Sequence, residues 1–413
     1  MHLIRPFAAL RPAPEHAADV LAPPYDVLST EEARASAAGR PWSFLHISKP
    51  EIDLPQGTDP YSPQVYAKAA ENLARLIRDR ILRRDPAPCY YAYRLGMGEH
   101  VQTGLVATAS VAEYDANRIR RHELTRPEKE DDRVRQIEAV NAQTGPALLA
   151  YPTAPGVDAA LNEATKGAPA AAVRADDGIL HAIWVLEERA TVQALTRAFD
   201  AMPALYIADG HHRSAAASRV AAARRAAAPE EAGEKAHEYF LAVIFPHHQM
   251  QILDYNRVVS DLDGMSEEAF LRKLGERFEV RPSAKPVRPS RPGEFGLYLP
   301  GRWFRLALAS VFVPEDDPVA HLEVSLLSRY VLEPLLGVTD ARRDRRIDFV
   351  GGIRGLAELE RRVDQGKMAA AFALYPTRME QLMAVADAGR MMPPKSTWFE
   401  PKLADGLVSH VLD

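Results

Sequence analysis

Apolar positions along this chain change period several times, and each change marks a new element. In QVYAKAAENLARLIRDRIL, Val65, Leu73, Leu76, Ile77 and Leu82 recur at near-helical spacing, which predicts a helix. PCYYAYRL and VQTGLVATASV, rich in aromatic, β-branched and threonine residues around GMGEH, predict a β-hairpin. Short apolar runs at PALLAYP, ILHAIWVL, EYFLAVIF, FGLYLP, RWFRLAL and MAAAFALY read as strands. TVQALTRAF, HLEVSLLSRYVLEPLL, GLAELERRV and RMEQLMAVADAG read as helices. Strands and helices are mixed throughout, with no fixed-period repeat, so the expected fold class is mixed α/β (α+β). Three sections are expected, 1–112, 113–256 and 257–413, and the proline-rich basic stretch at 281–294 reads as a connector.

Composition narrows the function classes. The 413 residues are 47% apolar and 26% charged, the balance of an ordinary globular chain long enough for two or three domains. A formal charge of −5 weighs against a protein that coats nucleic acid by charge alone. The single cysteine, Cys89, excludes an internal disulfide framework and cysteine-rich zinc sites, and it fits a reducing compartment. No run approaches the roughly 18 apolar residues of a membrane helix, and the N-terminal stretch lacks the apolar core of a secretory signal. A cytoplasmic protein is expected.

The densest chemistry lies in ALYIADGHHRSAAASRVAAARR, residues 204–225. Leu205, Tyr206 and Ile207 suit a short buried strand, and strong helix-forming sequence runs from Ser214. Asp209 and Gly210 therefore fall at a strand-to-helix turn, where glycine permits a positive φ or a close backbone approach. The first amides of a helix lack internal partners and carry partial positive charge. Arg213 adds a bidentate donor, and His211 and His212 add more, which together make an anion or phosphate cradle. Two other readings stay open: Asp209 as a helix cap with nothing further to do, and a metal site. Adjacent histidines diverge by about 100° on a helix and rarely grip one ion together, a difficulty His247 and His248 share.

The second concentration is RHELTRPEKEDDR, residues 121–133, where four basic and five acidic side chains share thirteen positions. Such runs commonly form a solvated face. Read functionally, the stretch offers what phosphoryl transfer to a hydroxyl requires: a proton acceptor, and charges to manage phosphates. Glu123 is the candidate base, with His122 beside it. Asp131, Asp132 and Glu130 are candidate Mg²⁺ ligands, and Arg126 and Arg133 are candidate phosphate partners.

ADGHHR between a strand and a helix resembles the signature of the ParB/sulfiredoxin superfamily, and DGHHR is especially similar to its free serine kinases. Their catalytic glutamate lies in an upstream P-H-E segment; here the counterpart is RHE, giving Glu123. Seven ordered motifs, IRPFAAL, APPYDV, FLHISKPEIDLP, RHELT, EDDR, YIADGHHR and MPPKSTWFEPK, further resemble a bacterial and archaeal family known as domain of unknown function ten-fifteen. The superfamily resemblance implies a ParB/sulfiredoxin-like core in 113–256. It implies nucleotide phosphate held by Asp209, Gly210, His211, His212 and Arg213, with Mg²⁺ and ATP or ADP. Glu123 would take a proton from a small hydroxyl metabolite, free L-serine first among them. Alternatives on the same site are a non-catalytic nucleotide sensor and a nucleotide or phosphodiester hydrolase. One departure stands out: 86 positions separate Glu123 from Asp209, more than in the compact kinases, and Glu51 in HISKPEIDL is the alternative base.

Three further features carry weaker signals. Lys395 in MPPKSTWFEPK is placed to reach a phosphate from a proline-held loop, although no P-loop glycine run precedes it. Asp340, Asp344 and Asp348 recur every fourth residue, but the interleaved Arg343, Arg345 and Arg346 favour a self-neutralising ion-pair network over a metal site. Tyr25 and Asp26 in APPYDV sit on a proline-set turn, either packed or walling an active site.

Overall fold

The computed structural model describes residues 2–228, 234–314 and 316–413. These fall into two compact units, one running to Met250 and taking in Pro401–Asp413, the other spanning Gln251–Glu400. The class is mixed α/β, as the alternating patterns require.

The first unit is built on a nine-stranded sheet: β1 (Ile4–Arg5), β2 (Tyr90–Met97), β3 (His100–Ser110), β4 (Ile119–Arg120), β5 (Ala147–Tyr151), β6 (Ala171–Arg174), β7 (Leu180–Leu186), β8 (Leu205–Asp209) and β9 (Tyr239–Pro246). Their order is β4-β8-β5-β9-β3-β2-β7-β6, with β1 on β3. The predicted hairpin is β2–β3, antiparallel with Met97 opposite His100. Strands from the first two expected sections therefore share one sheet. Tyr90, Leu105, Tyr151, Phe199, Ile207 and Phe240 belong to its hydrophobic core.

Three helices matter for the site: α1 (Pro63–Arg78), α2 (Pro127–Val140) and α3 (His211–Ala227). The predicted first helix stops at Arg78 rather than continuing to Leu82. Arg80 turns left-handed (φ 60°), and Leu82–Arg84 pairs as a strand with Leu10–Pro12. Much of the charged run is α2, begun by Pro127 at its first position, where a missing N–H costs nothing, and ended by left-handed Asn141. Helix α3 starts at His211, three residues before the expected Ser214. Its buried alanines let it lie close against neighbours: Ala216 and Val220 pack with Ile137 of α2 and Leu412 of the tail.

The tail Pro401–Asp413 is woven into this unit by backbone. Asp405 and Ala22 exchange N–H···O bonds, Ser409 and Leu10 do the same, and His410–Val411 pairs with Ala142–Gln143.

The second unit holds a six-stranded sheet of β10 (Tyr255–Val259), β11 (Phe278–Ser283), β12 (Glu294–Leu299), β13 (Arg302–Leu308), β14 (Ile347–Gly351) and β15 (Ala370–Leu374), in the order β11-β13-β12-β15-β10-β14. The stretch expected to be a connector lies inside this unit instead. Its opening residues belong to β11, an edge strand, where Pro282 removes no ladder bond that a central strand would need. Asp340, Asp344 and Asp348 do not share a helix; they pair with Arg342, Arg346 and Arg362, the ion-pair arrangement favoured from sequence. No helix among the described residues is long and apolar enough to cross a membrane.

Leu403, Leu407, Val408 and Leu412 of the tail are buried in the first unit. Burial of an aliphatic side chain contributes about 1.5–3 kcal/mol. A chain ended at Glu400 is therefore expected to destabilise its first unit by more than about 4 kcal/mol. Urea unfolding followed by near-UV circular dichroism checks this; an unchanged midpoint would count against the tail as part of that core.

Candidate functional site

Strand β8 and helix α3 meet at Gly210, whose φ of +94° lies in the left-handed region. A Cβ there would stand 3.0 Å from the Ala147 Cα, so both conformation and space select glycine. No side chain caps α3 at Gly210. Asp209 does not cap the helix either: its Oδ1 accepts from the Gly210 N–H at 2.7 Å, and its Oδ2 meets Lys402 Nζ at 3.0 Å. The helix start is thus a partially positive terminus with amides aimed outward.

Sheet topology brings the second motif to this turn. β4 runs parallel to β8, with Ile119 opposite Leu205 and Arg120 opposite Tyr206. Two residues on, His122 and Glu123 arrive beside the first turn of α3. The Glu123 Oε2 lies 4.0 Å from His211 Nδ1, and the His122 and His211 rings meet edge to face at 4.5 Å between centroids. Both rings are buried, at 2% and 4% exposure, while Glu123 is half exposed. The 86-residue separation is therefore no obstacle, because β5, β6 and β7 occupy the intervening chain.

Adjacent histidines diverge as helical geometry demands. His212 turns away from His211, and its Nε2 accepts the Arg126 N–H at 3.0 Å. Burial pushes the His122 imidazole down to about 4, opposed only in part by the Ile207 backbone and Asp209. Burial, reinforced by His122, holds His211 well below the ordinary histidine value, and burial also lowers His212. All three rings are neutral at pH 7.

Positive charge comes instead from Arg213, Lys402 and Arg133. The Arg213 guanidinium donates to the Pro146 carbonyl and, at 3.4 Å, to Asp26. Burial works against its charge, but Asp26, Tyr25, Asp209 and Asp405 overcome that and keep it protonated. Tyr25 lies between two cations: its ring centroid is 3.9 Å from the Arg133 guanidinium and 5.6 Å from that of Arg213. Arg133 is held by Asp132, whose other oxygen accepts from Tyr66. Burial opposes the Asp209 carboxylate too, yet Lys402 and Arg213 hold it well below the usual range. Asp405 is the opposite case. Burial raises it to about 7 despite Arg213, and its Oδ2 lacks a hydrogen-bond partner.

The structure places the other sequence candidates as follows. Asp131 and Asp132 face different partners, Asp131 pairing with Arg219 and Asp132 with Arg133, so they do not converge on one ion. Glu130 also meets Arg219. Glu51 is buried and engaged by Lys49 and Thr30, a structural setting. Lys395 belongs to the second unit, where its Nζ lies 5.8 Å from the Tyr255 ring centroid. The lysine that reaches the turn is Lys402, from the same MPPKSTWFEPK motif. Asp405 carried no sequence signal, since only the backbone pairing of the tail with Ala22 brings it in.

Fold and site together define a mixed α/β protein with a cation-rich, glycine-led helix start. The chain belongs to the family described as Protein of unknown function (DUF1015), whose model matches residues 4–325. No curated protein matches it. Among solved structures, it is similar to a free serine kinase in complex with AMP (14% identity, 71% of this chain and 86% of that one, TM-score 0.35). It is also similar to a conserved hypothetical protein from Pyrococcus furiosus (13%, 73% and 94%, 0.34). A third is SbnI with a C-terminal truncation from Staphylococcus aureus (11%, 72% and 84%, 0.37). At these scores the chemistry has to be argued from the site itself.

Two outcomes follow from this geometry. Gly210→Ala is expected to cost about 1–3 kcal/mol, from left-handed strain and the Ala147 contact, read as a lowered thermal midpoint. For Asp405, the folded pKa lies above the unfolded one, so stability from its protonated form is present at low pH and is lost as pH rises from about 4 through 7. Asp405→Asn should therefore gain stability relative to the native chain at pH 8 compared with pH 5. Urea midpoints at both values test it, and an equal difference at the two would refute the assignment.

Proposed function

We propose that the first unit is a phosphotransferase that moves a phosphoryl group from ATP or ADP to the hydroxyl of a small metabolite. The observation that carries this reading is the meeting of Glu123 with the start of α3, a proton acceptor beside an uncapped helix terminus. The outward amides of His211, His212 and Arg213 receive the nucleotide phosphates, with Lys402 and Arg213 supplying charge. Neutral His211 and His212 serve as hydrogen-bond partners rather than cations.

In the transfer step Glu123 takes the hydroxyl proton while the substrate oxygen attacks the terminal phosphorus. The bond from that phosphorus to the bridging oxygen breaks, and its electron pair leaves with ADP or AMP. The exposure of Glu123 suits a base that must reach a substrate arriving from solvent. The RHE and DGHHR motifs resemble those of free serine kinases, which makes L-serine the first acceptor. The expected magnesium ligands do not fit, because Asp131 and Asp132 diverge, and the reading uses no magnesium held by them.

The test is transfer of labelled phosphate from ATP or ADP to a panel of hydroxyl metabolites led by L-serine. Glu123→Gln is expected to lower kcat by about 10²- to 10⁴-fold with nucleotide affinity retained. Lys402→Ala should weaken nucleotide binding and reduce kcat/KM by about tenfold or more. Nucleotide binding without turnover, unaffected by Glu123→Gln, would replace this reading with that of a sensor. Phosphate release without any acceptor would replace it with a hydrolase.

A further inference from the structure

We infer that His122, Glu123 and His211 form a binding site for a divalent transition cation of the zinc or cobalt type. One nitrogen from each ring and one carboxylate oxygen lie within 4.8 Å of one another. The donors come from two separate elements, the segment after β4 and the first turn of α3, so their convergence is a product of the fold. The Nε2 of His211 is buried without a hydrogen bond, and the buried His122 ring has only an interaction with the Ile207 backbone that falls short of good hydrogen-bond geometry. Buried imidazole nitrogens are ordinarily satisfied, and a coordinated cation would satisfy one on each ring.

The donor set decides which cation. Two imidazoles and a carboxylate suit zinc, cobalt, iron or nickel, whereas magnesium prefers oxygen ligands and keeps its water. A tetrahedral ion with bonds near 2.0–2.1 Å spaces its donors by about 3.3 Å, so the side chains need close by only about 1.5 Å or less. Asp209 adds negative charge nearby and Arg121 adds positive charge, so the ligands themselves must hold the ion. Three protein donors leave a fourth tetrahedral position for water or another small ligand.

The site shares Glu123 and His211 with the transfer reading but stands on its donor geometry alone, and one consequence rests on that reading. With the ion seated, Glu123 is a ligand and no longer available as a proton acceptor, so the same ion would suppress transfer.

The experiment uses the full, untagged chain stripped of metal and titrated with cobalt(II) in excess magnesium, without nucleotide. The readout is the visible d–d absorption of the bound ion. Saturation at about one equivalent, displacement by zinc(II), and a roughly tenfold or greater loss of affinity in Glu123→Gln and His122→Gln are expected. Glu123 is half exposed, so its variant separates ligation from folding, and far-UV circular dichroism verifies the fold of both. Absence of cobalt absorption in the native chain, or unchanged isotherms in both variants, would overturn the site. Because nucleotide is absent, failure of the metal titration and failure of the transfer assay are separate results.

Discussion

A guanidinium taken out of water must be surrounded by acceptors and counter-charge, and Arg213 imposes that demand at the first turn of α3. Its partners come from distant parts of the chain: the Pro146 carbonyl before β5, Asp26 and Tyr25 on the proline-set turn, and Asp405 from the tail. Gly145 stays without a side chain beside them, since a Cβ there would lie 3.3 Å from Asp405 Oδ1. The same arginine helps keep Asp209 ionised, which in turn holds Lys402 in place. One buried charge thus links the N-terminal turn, the central sheet, α3 and the tail.

Charge within the site is sorted by depth. The histidines, which in water would titrate near neutrality, are driven neutral by burial, while surrounding carboxylates keep Arg213 charged and Lys402 pairs with Asp209. The acids divide as well. Asp209 and Asp132 are tied to cations, Asp405 sits near its midpoint at neutral pH, and Glu123 faces the solvent side. Each cation at the site thus has a carboxylate partner, while Glu123 approaches the His211 ring at 4.0 Å.

Much of this was legible in the sequence. Periodicity predicts the β2–β3 hairpin, β8 and most helices, because each pattern is set by which residues face a core. The turn chemistry around Gly210 was legible too, since few residues other than glycine tolerate φ near +94°. What escaped depends on long-range pairing. No local signal distinguishes Lys402 from Lys395, because the choice is made by which unit each joins. Asp131 and Asp132 looked like a ligand pair, but neighbours on a helix point apart, and each found a different arginine. The approach of His122 to His211 rests on the parallel β4–β8 pairing, which a two-residue strand such as β4 does not announce.

The return of the tail into the first unit also sets an order of events during synthesis. Lys402 is added 193 residues after the aspartate it neutralises, and Asp405 later still. A ribosome-bound chain that has already extruded β8 and α3 holds the Asp209 carboxylate without its lysine and a buried arginine short of one acid. The ion pair at the start of α3 is therefore completed only after the whole second unit has emerged. Incomplete translation products carry the DGHHR turn in an unfinished electrostatic state.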